Sequence, residues 1–367
     1  MNKNILGHLS NYNLPPIGEE HPYTETDGLV FAIFSFAPAG PDVRRFKGAF
    51  SIEPVGKTMG EVAGLLVDTD NNELMSSRFK SGALGDYKKH SSFFNYILKN
   101  RRYKDIKITG FTYNNDGFSQ FAAFTFELCQ GEYVVGYRGT DDSLEGWYES
   151  VKLSLNDIPS RQLAFKYLQS EMDKNEGIFR IVGHSKGGHL ALCAAILIDV
   201  EYKTKIRSII NFDGPGFTME FIAAHKESIL LLQHKVFCFS PAAAIVSSML
   251  FGQDILYYEK NMRYIKPYRL KMPPNQHNYF NWAITPDGKF KLAPRSALSI
   301  SFQNVYEKLY NMYDPKELDQ IFDGLYEQAS TIHKDSDNVV SRFDIWTFVL
   351  GAAIKLLAVP KGHRGRD

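Results

Sequence analysis

Ile178-Phe-Arg-Ile-Val182 runs into Gly183-His-Ser185-Lys-Gly187-Gly188, and His189-Leu-Ala-Leu-Cys-Ala-Ala-Ile-Leu-Ile198 follows without a break. The first run is short, apolar and β-branched, as a buried strand is. The last is long enough for a buried helix. The turn between them reads G-x-S-x-G, and strand, turn and helix in that order form the setting of a nucleophile elbow. A serine on so sharp a turn sits in a strained backbone, with the strand and helix passing close by. Gly183 and Gly187 leave the room that close passage needs. The Ser185 hydroxyl then stands clear at the carboxyl edge of a sheet. The Lys186 N–H opens the helix and points where an oxyanion would form. The plainer reading is a Gly-rich turn that cradles a phosphate, but the G-x-x-x-x-G-K-[ST] pattern is absent.

Outward from this turn, strand and helix patterns alternate. Ile106–Phe111, Gln120–Leu128 and Tyr133–Tyr137 are rich in β-branched and aromatic residues, and Gln130-Gly131 predicts a hairpin. Leu153–Asn175 has helical spacing, as does Phe221–Leu232. Ser208–Phe212 and Lys235–Phe239 are further short strands. Short apolar strands alternating with helices predict an α/β fold with a mostly parallel central sheet flanked by helices. Residues 1–104 are rich in helix and loop, and 105–294 form the core of a domain spanning 1–294. Residues 295–367 hold three helical patterns, expected to pack as a helical extension on the same domain.

The composition narrows the function. In a chain of 367 residues, 42 basic side chains balance 41 acidic ones. A protein that works on phosphate backbones is usually far more basic, so no nucleic-acid partner is expected. The three cysteines, Cys129, Cys193 and Cys238, are widely spaced. They suggest neither a disulfide framework nor a zinc site, and no metal is expected. The apolar run Leu29–Gly40 follows an acidic stretch, Glu25-Thr-Asp27, unlike a secretory signal, and reads as a core helix or strand. Phe343–Ala358 contains Asp344 and Lys355 and is too short to span a membrane, so it reads as a core or capping helix. Interfacial membrane contact is the alternative for this run but is not the predicted reading, and a cytoplasmic location is expected.

A serine needs a base. Where a sheet carries such an elbow, the base follows the last core strand, downstream of the serine. His189 belongs to the helix after the elbow. Of His225, His234, His277, His333 and His363, His277 has the best address, in Pro273-Pro-Asn-Gln-His-Asn-Tyr-Phe-Asn-Trp282. That loop is dense in turn residues, followed by aromatics suited to wall a site. The acid must accept the imidazole Nδ1–H. Asp213 directly follows the strand Ser208–Phe212, in Asn-Phe-Asp-Gly-Pro-Gly. Asp254 is the alternative, because no carboxylate follows the next strand directly, and a turn-stabilising role for Asp213 also stays open. The loop Arg138-Gly-Thr140 after Tyr133–Tyr137 suits a second oxyanion donor, and Trp147 lies in a segment placed to cover the site.

Tyr137-Arg-Gly-Thr-Asp, Gly146-Trp-Tyr-Glu149, Gly183-His-Ser-Lys-Gly-Gly, Asn211-Phe-Asp-Gly-Pro-Gly-Phe217 and Gln276-His277 together resemble the Mbeg1-like family. The resemblance covers roughly residues 4–290 and is weaker over the C-terminus. It implies an α/β-hydrolase fold. That family is in turn similar to the class 3 lipases, in which an [FY]-R-G-[ST] loop supplies an oxyanion donor and a nearby tryptophan belongs to a lid. By that likeness Thr140 is an oxyanion residue and Trp147 a lid or wall residue. Class 3 lipases place the acid after the strand that here ends at Phe239. This chain has none there, and Asp213 rests on the Asp-Gly-Pro-Gly motif instead.

These readings converge on a serine hydrolase of the lipase or esterase kind. Ser185, His277 and Asp213 form its triad, and Lys186 and Thr140 its oxyanion hole. The substrate is a small-molecule ester or lipid-like ester, and no cofactor is needed. A thioesterase or peptidase would use the same machinery. A non-catalytic scaffold that binds a lipid or a partner protein is the alternative from another class.

Overall fold

The computed structural model describes residues 3–40, 52–67, 87–115, 120–140, 153, 158–250, 256, 261–269, 273–310, 317, 320, 323 and 324. The helices are α1 (Ile5–Leu9), α2 (Glu25–Phe34), α3 (Met59–Val67), α4 (Tyr87–Lys99), α5 (Pro159–Lys174), α6 (Lys186–Leu197), α7 (Val200–Lys203), α8 (Met219–Ala224), α9 (Lys226–Leu232), α10 (Pro273–Gln276) and α11 (Ala297–Tyr310). The strands are β1 (Lys107–Asn115), β2 (Gln120–Cys129), β3 (Glu132–Tyr137), β4 (Ile178–His184), β5 (Ile206–Phe212), β6 (Val236–Pro241) and β7 (Met262–Ile265).

The strands form a seven-stranded sheet in the order β1-β2-β3-β4-β5-β6-β7. β1, β2 and β3 make an antiparallel meander, and β3 to β7 run parallel. The sheet is therefore mostly parallel, as the alternating strand and helix patterns predict. Parallel strands in consecutive order, joined by right-handed crossovers, place every crossover helix on one face. Side chains that alternate along each strand therefore meet two different cores. Val135, Ile181 and Ile209 face α5, α6, α8 and α9. Val134, Val182 and Ile210 face the other way, into a core built with α2 and α4.

That second face explains the N-terminal region. The run beginning at Leu29 is the body of α2, buried from Thr26 to Phe34 and packed on β3, β4 and β5. Thr24 opens the helix with a capping box: its hydroxyl accepts from the Asp27 N–H, and the Asp27 carboxylate accepts from the Thr24 N–H at 2.7 Å. The same carboxylate, 1 % exposed, receives Arg102 Nε at 2.6 Å, Arg102 Nη2 at 2.7 Å and the Tyr103 hydroxyl at 2.7 Å. The remaining Arg102 donors reach the carbonyls of Pro15 and Pro22. A buried charge pair survives only when its hydrogen-bonding capacity is met in this way.

Several elements differ from the sequence reading. α5 starts at Pro159, not Leu153, because proline is suited to the first helical position and fixes the start there. The Phe221–Leu232 pattern is two helices, with His225 between them at φ −118°, ψ 21°. β7 was not expected: it is four residues long and carries Arg263 over the Phe237 and Phe239 rings. At the C-terminus, α11 docks through Arg295, whose guanidinium donates to Ser248 Oγ at 2.9 Å and Ser299 Oγ at 3.0 Å. The Phe343–Ala358 run lies outside the described residues. Among the described residues no helix is long and apolar enough to cross a membrane.

Candidate active site

β4 ends at His184 and α6 starts at Lys186, so Ser185 alone makes the turn. Its φ of 59° and ψ of −129° lie in a region that L-residues avoid. A strained backbone persists only where its surroundings over-determine it. Here the Ser185 N–H donates to the Phe212 carbonyl at 2.9 Å, and the Ser185 carbonyl accepts from the Gly188 N–H at 2.9 Å. The glycines on either side are needed for space. A Cβ on Gly183 would overlap the Gly187 backbone, and one on Gly187 would overlap the Tyr137 carbonyl. Ser185 stays half-buried, whereas Lys186 and the rest of α6 up to Ile196 are buried.

β5 lies beside β4 with His184 opposite Phe212, so Asp213 emerges next to Ser185. Asp213 also has a positive φ, 52°, which aspartate tolerates better than most side chains. Several contacts fix its turn. The Asp213 N–H donates to the Phe239 carbonyl at 2.9 Å, which ties the acid to β6. The Asn211 carboxamide grips Gly214 from both sides, accepting its N–H at 2.8 Å and donating to its carbonyl at 3.2 Å. Farther along, the His189 Nδ1–H donates to the Gly216 carbonyl at 2.8 Å, and His189 Nε2 accepts from Arg161 Nε at 3.0 Å. Burial, and then the Arg161 charge, hold His189 well below the usual imidazole range.

His277 follows α10 directly and is nearly buried. Its Nδ1–H donates to Asp213 Oδ2 at 2.7 Å. The other carboxylate oxygen accepts the Ser247 N–H at 3.3 Å. Around His277 the loop is fastened by Gln276, whose side chain accepts from the Ala243 N–H and whose carbonyl accepts from Trp282 Nε1 at 2.7 Å. Ser185 Oγ and His277 Nε2 make no hydrogen bond among the described residues, a gap that free enzymes often show before substrate arrives.

Of the expected site residues, Ser185 and Asp213 stand side by side at the carboxyl ends of β4 and β5, and His277 is hydrogen-bonded to Asp213. Lys186 supplies the first N–H of α6. Thr140 is buried, and Gly139 before it backs onto the His184 carbonyl and Ser185, so this loop runs along the elbow. Trp147 and the alternative acid Asp254 lie outside the described residues. Sequence reasoning missed Asn211 and Ser247, which hold the Asp213 turn and side chain, and His184, whose ring lies against that of His277. Only Asn211 left a signal, an Asx residue three before Gly214. Among the described residues no group of three His, Cys, Asp or Glu side chains is arranged to hold a metal ion.

A family model, Mbeg1-like, matches residues 97–327, well over half of the chain. The chain belongs to the Mbeg1-like family. No curated protein matches the sequence. Among solved structures, this Mbeg1-like chain is similar to lipase II from Rhizopus niveus at 13 % identity and a TM-score of 0.31, over 49 % of this chain and 75 % of that one. It is similar to a Rhizomucor miehei lipase–propeptide complex at 11 % identity and 0.34, over 53 % and 64 %. For a triacylglycerol lipase from Penicillium expansum the values are 10 % and 0.32, over 52 % and 82 %.

Proposed function

We propose that this Mbeg1-like protein is a serine hydrolase that cleaves carboxylic esters through an acyl-enzyme. The observation that carries the reading is the 2.7 Å hydrogen bond from His277 Nδ1 to a buried carboxylate, Asp213, that emerges beside a serine on a strained turn. A carboxylate on Nδ1 fixes the tautomer in which Nε2 is bare and can take a proton.

In this reading Ser185 Oγ attacks the ester carbonyl carbon and its proton passes to His277 Nε2. The carbonyl oxygen becomes an oxyanion, held by the N–H groups of Lys186 and Thr140. Collapse of the tetrahedral intermediate expels the alcohol, which takes the proton from His277. Water then repeats the sequence on the acyl-enzyme, with His277 as base again, and frees the acid. Asp213 orients the ring and stabilises the imidazolium throughout. The substrate is a small ester or a lipid-like ester. A thioester would follow the same steps.

The test is hydrolysis of p-nitrophenyl esters from short to long acyl chains. Ser185→Ala is expected to lower turnover by a factor on the order of 10⁶. The chain-length profile then separates esterase from lipase. Hydrolysis retained in Ser185→Ala would overturn the reading.

A further inference from the structure

His184 is the unexplained residue of the elbow. It directly precedes Ser185, yet its ring is fully buried. The ring stands edge-on to Tyr279 at 4.9 Å, lies near Trp282 at 5.8 Å and Phe36 at 6.3 Å, and leans over the His277 ring at 4.6 Å with 35° between planes. A phenyl ring would suit this aromatic box as well. An imidazole there carries a handicap, because its Nδ1 is buried with no hydrogen-bond partner.

Its other nitrogen accounts for the choice. His184 Nε2 lies 2.9 Å from the carbonyl oxygen of His277. A carbonyl only accepts, so Nε2 carries the hydrogen and Nδ1 is the bare nitrogen. A second proton would sit on Nδ1 with nothing to receive it, against a ring that itself becomes cationic during turnover. His184 therefore stays neutral, and burial followed by the neighbouring His277 holds it well below the usual imidazole range. It donates one fixed hydrogen bond to the backbone of His277 and covers the face of its ring.

We infer that His184 is a positioning residue for His277, fixing through Nε2–H the main chain of the base whose ring Asp213 fixes through Nδ1. This rests on the reading of Ser185 and His277 as nucleophile and base. It extends that reading by giving the first variable position of G-x-S-x-G a task of its own. The two holds are independent. Asp213 sets the rotation and tautomer of the ring, and His184 sets where the ring begins. A displacement of about 1 Å at such a point can cost on the order of 10²-fold in rate.

The experiment compares wild type, His184→Phe and His184→Gln. It reads the rate of fluorophosphonate labelling, kcat and KM on one p-nitrophenyl ester, and thermal unfolding. The Phe variant keeps the ring and removes the donor. It is expected to be labelled on the order of 10²-fold more slowly, with kcat lowered alike and KM unchanged. The Gln variant places an N–H within reach of the same carbonyl and is expected to recover most of that loss, whatever its unfolding temperature. Should the Phe variant fail to fold, His184→Asn serves in its place, because its shorter amide stops at the Nδ1 position. Wild-type rates in the Phe variant, or equal slowness in Phe (or Asn) and Gln, would overturn the positioning role while leaving the hydrolase reading intact. A wild type that resists the probe would overturn the hydrolase reading, and this role with it.

Discussion

Asp213 holds His277 by one carboxylate oxygen, at 2.7 Å, and is itself held by the other, which accepts the Ser247 N–H at 3.3 Å. The acid is thereby aimed from two sides, although it follows β5 and not β6. β6 still takes part, since the Phe239 carbonyl accepts the Asp213 N–H. The Asp213 carboxylate is thus aimed by a turn that β5 and β6 brace.

Asp213→Asn keeps the shape of the turn but gives His277 the wrong partner. An amide that donates toward Nδ1 forces the ring hydrogen onto Nε2, where the proton from Ser185 must go. In the proposed triad kcat is expected to fall about 10⁴-fold. Steady-state kinetics on a p-nitrophenyl ester, beside an unfolding curve that matches wild type, checks this. A loss of less than tenfold would remove Asp213 from the triad.

Gly187→Ala tests the packing of the elbow. The added Cβ would overlap the Tyr137 carbonyl, a backbone atom that cannot swing away. Destabilisation of about 1–3 kcal/mol is expected. Gly18→Ala is the control, since a Cβ there meets nothing and its effect should stay within about 0.5 kcal/mol. Chemical denaturation of both variants measures the difference.

Acid should destabilise the fold through its buried histidines. His184 and His189 are both held well below 6.5, chiefly by burial. As the pH falls through about 6.5, the unfolded chain takes up a proton at each site and the folded chain does not. The stability each provides is complete above that pH. Below it, each site removes up to about 1.4 kcal/mol per pH unit. His189→Gln takes one of the two sites away. Between pH 7 and pH 5 the variant should lose less stability than wild type in guanidinium titrations. Parallel curves would contradict the assignment.

How much of this was legible depends on the range of the interaction that made it. The elbow could be read because its demands are local: Gly183 and Gly187 stand within two residues of Ser185, and strand and helix flank them directly. Asp213 could be read as an address because the strand pattern before it was clear, and His277 because its loop is dense in turn residues and leads into aromatics. Their meeting could not, because it depends on β6 and β7 lying beside β5 in the sheet, which brings the segment after β7 back to the end of β5. β7 escaped notice because it is only four residues long and is placed in part by Arg263, which pairs with Glu25 at 3.1 Å and lies over two phenylalanines. The apolar run of α2 was visible, but its task was not. Only the consecutive strand order shows that the second face of the sheet needs a helix from outside the crossovers. His184 reaches the distant His277 carbonyl and Ser247 offers its own N–H to the distant Asp213 carboxylate, so neither leaves a pattern along the chain.

The most direct test of the central claim is fluorophosphonate labelling read by peptide mass. An activated serine is predicted to carry the phosphonyl group on the peptide containing Ser185, with the label lost in both Ser185→Ala and His277→Ala. No label on folded wild-type protein, or a label that persists in Ser185→Ala, would contradict it.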